Sequence, residues 1–118
     1  MLQNPLDFRA YSEMKDIMEE VLPELLKTFN SYMPDLLKDL NQAITANNPD
    51  LVFGISHRMK SSCNSLGALG LAKTCENIEM IGRAGGTEGA NELSTLLEEQ
   101  LNEVMEFFEE ELKSLPES

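Results

Sequence analysis

His57 is the only histidine in the chain. Imidazole can move protons, ligate a metal or accept a group as a nucleophile. The ring sits in Ile55-Ser56-His57-Arg58-Met59-Lys60-Ser61-Ser62-Cys63-Asn64-Ser65-Leu66-Gly67. Val52, Ile55, Met59, Cys63 and Leu66 recur at steps of three and four, the spacing of one helix face. At about 100° per residue, His57 lies roughly 160° from the centre of that stripe and is expected to point to water, directly away from the core. The same arithmetic puts Asn64 about 20° from His57, Ser61 and Phe53 about 40°, and Lys60 and Gly54 about 60°. Gly54, Ser61 and Asn64 are small or modest in size and leave the ring open to a bulky partner. Lys60, one turn on, can place an ammonium near an anion on the ring. Residues 51–75 contain no Asp or Glu, although the chain has 21 acidic residues. Arg58, Lys60 and Lys73 lie in that gap. A neutral-to-positive surface without a competing carboxylate is expected around His57, which suits an anionic ligand or a phosphoryl group; the alternative reading of the gap is chance together with the needs of the core.

Several chemistries are disfavoured. A metal site would need further ligands, and Cys63 and Cys75 fall on apolar stripes, where reduced buried thiols are expected. There is no second histidine and no Gly-x-Ser-x-Gly turn for a hydrolase triad. Gly85-Gly86 is not followed by Gly-Lys-Ser/Thr, so no phosphate-cradling loop is visible. The chain is therefore not expected to phosphorylate its own histidine from ATP. What remains is an accessible nucleophile that receives its group from another protein.

The elements that must position this ring read as helices. The 118 residues suit one domain over residues 1–118. They are rich in Leu, Met, Glu and Lys and lack β-branched alternating runs. A short helix is expected over Ser12–Glu20, capped by Asp7 or Ser12, with Met14, Ile17 and Met18 on its inner side. A long pattern follows from Leu22 to Ile44, with Pro23 in its first turn and a kink at Pro34. Asn48 as N-cap and Pro49 at the first helical position open the histidine helix, which ends near Gly67. The next helix runs from about Ala68 to Arg83, with Leu71, Ala72, Cys75, Ile78 and Gly82 inward. After a loop at Ala84-Gly85-Gly86-Thr87, the last helix turns Leu93, Leu97, Leu101, Val104, Phe108 and Leu112 inward and ends by Pro116. Its outer face is dense in glutamate and reads as a solvated surface. Short connections make neighbouring helices antiparallel, so the expected fold is all-α, an up-down antiparallel four-helix bundle with a short extra N-terminal helix.

Net charge is −12, which argues against nucleic acid or an anionic membrane as a partner. No apolar run approaches the ~20 residues of a membrane span, and no secretory signal is visible, so a cytoplasmic location is expected. A monomer is expected from one continuous core, with Met105 and Phe107 as candidates for a weak contact between copies.

His57-Arg58-Met59-Lys60-Ser61-Ser62, followed by Leu66-Gly67-Ala68, Leu71, Cys75 and the region of Glu79, resembles the signature of histidine-containing phosphotransfer (HPt) domains. The pattern is His-x-Leu-Lys-Gly-Ser/Ala and then an apolar-Gly-Ala/Leu step. The resemblance is strong over residues 48–83 and architectural elsewhere, and it is to the free-standing bacterial type. It implies that His57 is the phosphoacceptor, that Lys60 steadies the phosphoryl group, and that Gly67 ends the histidine helix and lets the next helix pack closely. It also implies a phosphorelay in which receiver domains of response regulators and hybrid sensor kinases dock over Phe53, Gly54, Arg58, Ser61, Asn64 and Ser65. The domain then needs no metal or cofactor of its own, Mg²⁺ being supplied by the receiver, and has no kinase activity. Ser61 stands where the family has glycine, and Met59 where it has leucine. Two other classes compete. A sensor-kinase dimerisation fragment usually has an acidic residue after the histidine and a proline soon after; here Arg58 follows, and the first proline after His57 is Pro116. A non-catalytic adaptor bundle would not require both His57 and Lys60.

Overall fold

The structure is a computed structural model and describes residues 4–115. Five helices follow in order: α1 (Phe8–Ile17), α2 (Leu22–Thr45), α3 (Pro49–Ser65), α4 (Leu69–Arg83) and α5 (Ala90–Ser114). Among the described residues there is no strand. α2 packs on α3, α3 on α4, α4 on α5 and α5 back on α2, closing an antiparallel four-helix bundle. The core runs along its axis and includes Leu26, Met33, Leu40, Met59, Leu71, Ile78, Leu97, Leu101 and Phe108, each at most 1% exposed. Of the residues expected inward on α5, Leu93 and Leu112 are only partly buried, at the two ends of the helix. Pro116 lies outside the described residues.

Local chemistry sets the helix ends. The Asn48 side chain accepts from the Leu51 N–H at 3.2 Å and Pro49 opens α3, as the sequence predicts. α2 runs unbroken through Pro34, which sits on its exposed side.

The first helix differs from expectation. It spans Phe8–Ile17 instead of Ser12–Glu20, because Asp7 caps it, accepting from the Ala10 N–H at 2.9 Å. Its buried residue is Tyr11, whose ring packs on Phe107 and Phe108 of α5. Met14 is half-buried, whereas Ile17 and Met18 are 78% and 43% exposed. The Tyr11 hydroxyl donates to Glu111 at 2.7 Å, and Lys15 reaches the same oxygen at 3.0 Å. Burial and the Glu111 carboxylate push the Tyr11 hydroxyl far above its ordinary pKa. Burial also raises Glu111, but the bonds from Tyr11 and Lys15 and the lysine charge outweigh it and hold that carboxyl below its usual value.

Two glycines fix how the site-bearing helices lie. Gly67 ends α3 with φ +80°, and a Cβ there would come within 2.6 Å of the Tyr11 backbone nitrogen. The close approach it permits is therefore to α1, not to the following helix as expected; the Asp7 N–H donates to its carbonyl at 2.9 Å. The close approach of α4 to α3 falls at Gly82, where a Cβ would lie 2.7 Å from both Phe53 N and Pro49 O. Cys63 on α3 and Cys75 on α4 are fully buried free thiols. The neighbouring Cys75 and burial push the Cys63 thiol well above its ordinary pKa.

Candidate functional site

His57 lies at the middle of α3 on the seam with α4. Its side chain is 54% exposed. The ring does not stand directly away from the rest of the molecule, because the helical wheel describes α3 alone and α4 flanks it. From α4, Glu79 reaches the site and binds two groups of α3. One of its oxygens takes His57 Nδ1 and the other takes Lys60 Nζ at 2.6 Å. The expectation of a site clear of carboxylates is corrected here: residues 51–75 hold none, but Glu79 lies just past that window. Lys60 is also not a free surface cation, its side chain being 23% exposed and tied to Glu79.

Glu79 is the functional residue that sequence reasoning missed, although its region fell within the family pattern. A signal existed. It lies on the buried side of α4, beside Cys75 and Ile78, and a carboxylate there needs partners. Burial alone would raise its pKa. Hydrogen bonds from Lys60 and His57, together with their charges, outweigh that and hold the carboxyl below its usual range. Glu79 is therefore ionised at neutral pH and can only accept. Nδ1 must carry the ring proton, and in the neutral ring the lone pair then falls on Nε2. Nε2 has no partner among the described residues.

Phe53, one turn before His57, stacks on the imidazole with centroids 6.0 Å apart and planes at 20°. It is half-buried. The Arg83 guanidinium of α4 lies over the Phe53 ring, 5.8 Å from its centroid. On the opposite flank, Arg58 turns to α2, where it hydrogen-bonds the Tyr32 hydroxyl and sits 5.7 Å from that ring's centroid. Gly54 is half-buried, and a Cβ there would meet nothing within 4 Å. Ser61, Asn64 and Ser65 are exposed along the same helix. The structure thus brings His57 and Lys60 together through Glu79, places Phe53 and Gly54 beside the ring and strings the three polar residues toward the α3 C-terminus. Gly67 lies beyond them, at the turn.

Among the described residues, no group of three or more His, Cys, Asp or Glu is placed to hold a metal ion. No described helix is long and apolar enough to cross a membrane.

Comparison with known proteins gives the family and a similar fold. The Hpt domain family matches residues 24–107, and the chain belongs to that family. Its fold is similar to a crystal structure of histidine-containing phosphotransfer protein B from Pseudomonas aeruginosa PAO1. The TM-score is 0.89 at 27% identity, covering 95% of this chain and 97% of that one. No curated protein sequence matches the chain significantly.

Proposed function

We propose that this chain is a phosphoryl carrier of a two-component phosphorelay, with His57 as the residue that accepts and releases the group. The observation that carries the reading is the polarised imidazole: Nδ1–H is anchored on an ionised Glu79, while Nε2 has no partner among the described residues on a side chain that is 54% exposed. The donor is a receiver domain bearing an aspartyl phosphate. Nε2 attacks phosphorus, the P–O bond to the aspartyl oxygen breaks, and its electron pair leaves with the carboxylate. The Nε2–P bond forms without loss of the Nδ1 proton, so the ring becomes cationic and Glu79 is its counter-ion. Reversal onto a second receiver returns the ring to its neutral state. Phosphoryl transfer depends mainly on positioning and charge. Phe53 and Glu79 fix the ring plane, and Lys60 holds Glu79 while supplying positive charge near the phosphoryl oxygens.

Phe53, Gly54, Arg58, Ser61, Asn64 and Ser65 form the receiver-docking surface in this reading. The Mg²⁺ that assists transfer belongs to the receiver. The carrier is a single domain, has no kinase activity, and works as a cytoplasmic monomer.

The test is incubation with a phosphorylated receiver domain and Mg²⁺. An acid-labile, base-stable label should appear on the chain and be absent in His57→Gln. No label with any candidate receiver, or a label that persists in His57→Gln, defeats the reading.

A further inference from the structure

The chain has 9 lysines and arginines against 21 acidic residues. In that surplus of acid, Arg9, Lys15, Lys60, Lys73 and Lys113 each pair with a carboxylate. Arg58 is exposed next to His57 and pairs with none among the described residues. Its guanidinium instead donates to the Tyr32 hydroxyl of α2 and lies 5.7 Å from the centroid of that ring. Asp35 stands about one turn further along α2, exposed, yet the arginine rests on the phenol.

This seat is polar but neutral. A carboxylate would hold the guanidinium more strongly and cancel its charge. The phenol fixes where the guanidinium stands and leaves the charge unbalanced. Tyr32 is itself 38% exposed and walls an open groove between α2 and α3, with Ser62 and Ser65 on the other side. The pair therefore stands at the edge of the proposed docking face, where a partner lying across both helices passes over it. A net charge of −12 repels an acidic partner over most of the surface. Residues 51–65 of α3 hold no Asp or Glu, so an acidic side chain is drawn to this stretch.

We propose that Arg58, held in place by Tyr32, is a specificity-determining residue that pairs with an Asp or Glu side chain on the receiver's surface, outside the receiver's phosphorylation site. Tyr32 is the positioning residue. The guanidinium can keep its contact with the phenol while its remaining N–H groups bind the carboxylate, so docking requires little reordering of the side chain. The inference rests on the receiver-docking reading of this face.

The test titrates the full-length protein with a receiver domain that labels it, at low and high salt. Arg58→Gln should weaken docking about tenfold at low salt and flatten its salt dependence. Arg58→Lys keeps the charge without the planar fork and should fall between. Tyr32→Leu should weaken docking about threefold while the salt dependence stays. Docking lost in Arg58→Glu should return when one acidic side chain of the receiver is changed to arginine. Labelling by phosphoramidate, a small donor that needs no docking, reports the chemistry at His57 separately. Unchanged docking and salt dependence in Arg58→Gln overturn the ion pair, and wild-type docking in Tyr32→Leu overturns the positioning role. A fall in phosphoramidate labelling as large as the fall in docking places Arg58 in the chemistry or the fold and also overturns the proposal. A wild type that is labelled by phosphoramidate but by no receiver overturns the docking reading beneath it.

Discussion

Replacing Gly54 by alanine separates what the fold needs from what docking needs. Gly54 lies inside α3, where glycine costs about 0.8–1 kcal/mol relative to alanine. In most helices such a glycine marks close packing, but here an added Cβ meets nothing within 4 Å. The methyl would neither clash nor gain a contact, so Gly54→Ala should recover nearly all of the propensity term. For a chain of this size that corresponds to a rise in Tm of about 4 °C. The same methyl projects beside the imidazole, into the space a docked receiver would fill. A methyl forced into a packed interface costs about 1–3 kcal/mol, and a loss of 1.4 kcal/mol weakens docking about tenfold. Thermal or urea unfolding measures the first effect, and receiver titration with rapid-quench transfer kinetics the second. A variant that is not stabilised refutes the claim of empty space. A stabilised variant that docks and transfers as well as wild type refutes the placement of the docking surface over Gly54.

Gly82→Ala should behave in the opposite way: its Cβ would press on Phe53 N and Pro49 O at 2.7 Å, both backbone atoms that cannot swing aside. Net destabilisation of about 1–2 kcal/mol is expected by urea unfolding, together with loss of the His57–Glu79 bond by NMR of the ring. Glu79→Gln keeps the shape but removes the charge facing a half-buried Lys60 and the phosphorylated ring. It should cost about 1–2 kcal/mol in stability and slow transfer about tenfold; full transfer activity would show that ring charge is not balanced here. Glu79 and Glu111 both titrate below their unfolded values near 4.5. The unfolded chain therefore binds more protons as pH falls through that region, so their stabilisation is present above about pH 4.5 and is lost as pH drops through the lowered values. Acid unfolding curves should show this, with a shallower slope in Glu79→Gln.

The sequence made the bundle legible where one helix carries its own information. The Asn48–Pro49 start of α3, the buried stripe of α4 and the stop at Gly67 depend on residues a few positions apart, and each is found in place. The site was half legible for the same reason. His57 and Lys60 share a helix, and their proximity follows from spacing, but the residue that joins them comes from the neighbouring helix. Its placement depends on the register of α4 against α3, set by the approach at Gly82, which no one-helix periodicity contains. The error in α1 has a related origin. Ile17 and Met18 look like an inner face, yet the short helix buries Tyr11 because aromatic residues of α5 and the glutamate at position 111 offer it partners.

In the proposed reading the phosphoryl group is carried on one exposed face of a single helix, α3. A donor and an acceptor that both need this face must take turns, so no ternary complex can form over His57. Throughput is then a matter of residence times. Raising the concentration of an unphosphorylated receiver first draws flux and then blocks it, as the carrier becomes sequestered. A relay built on this molecule should therefore respond to the ratio of its two partners as well as to the signal that charges one of them.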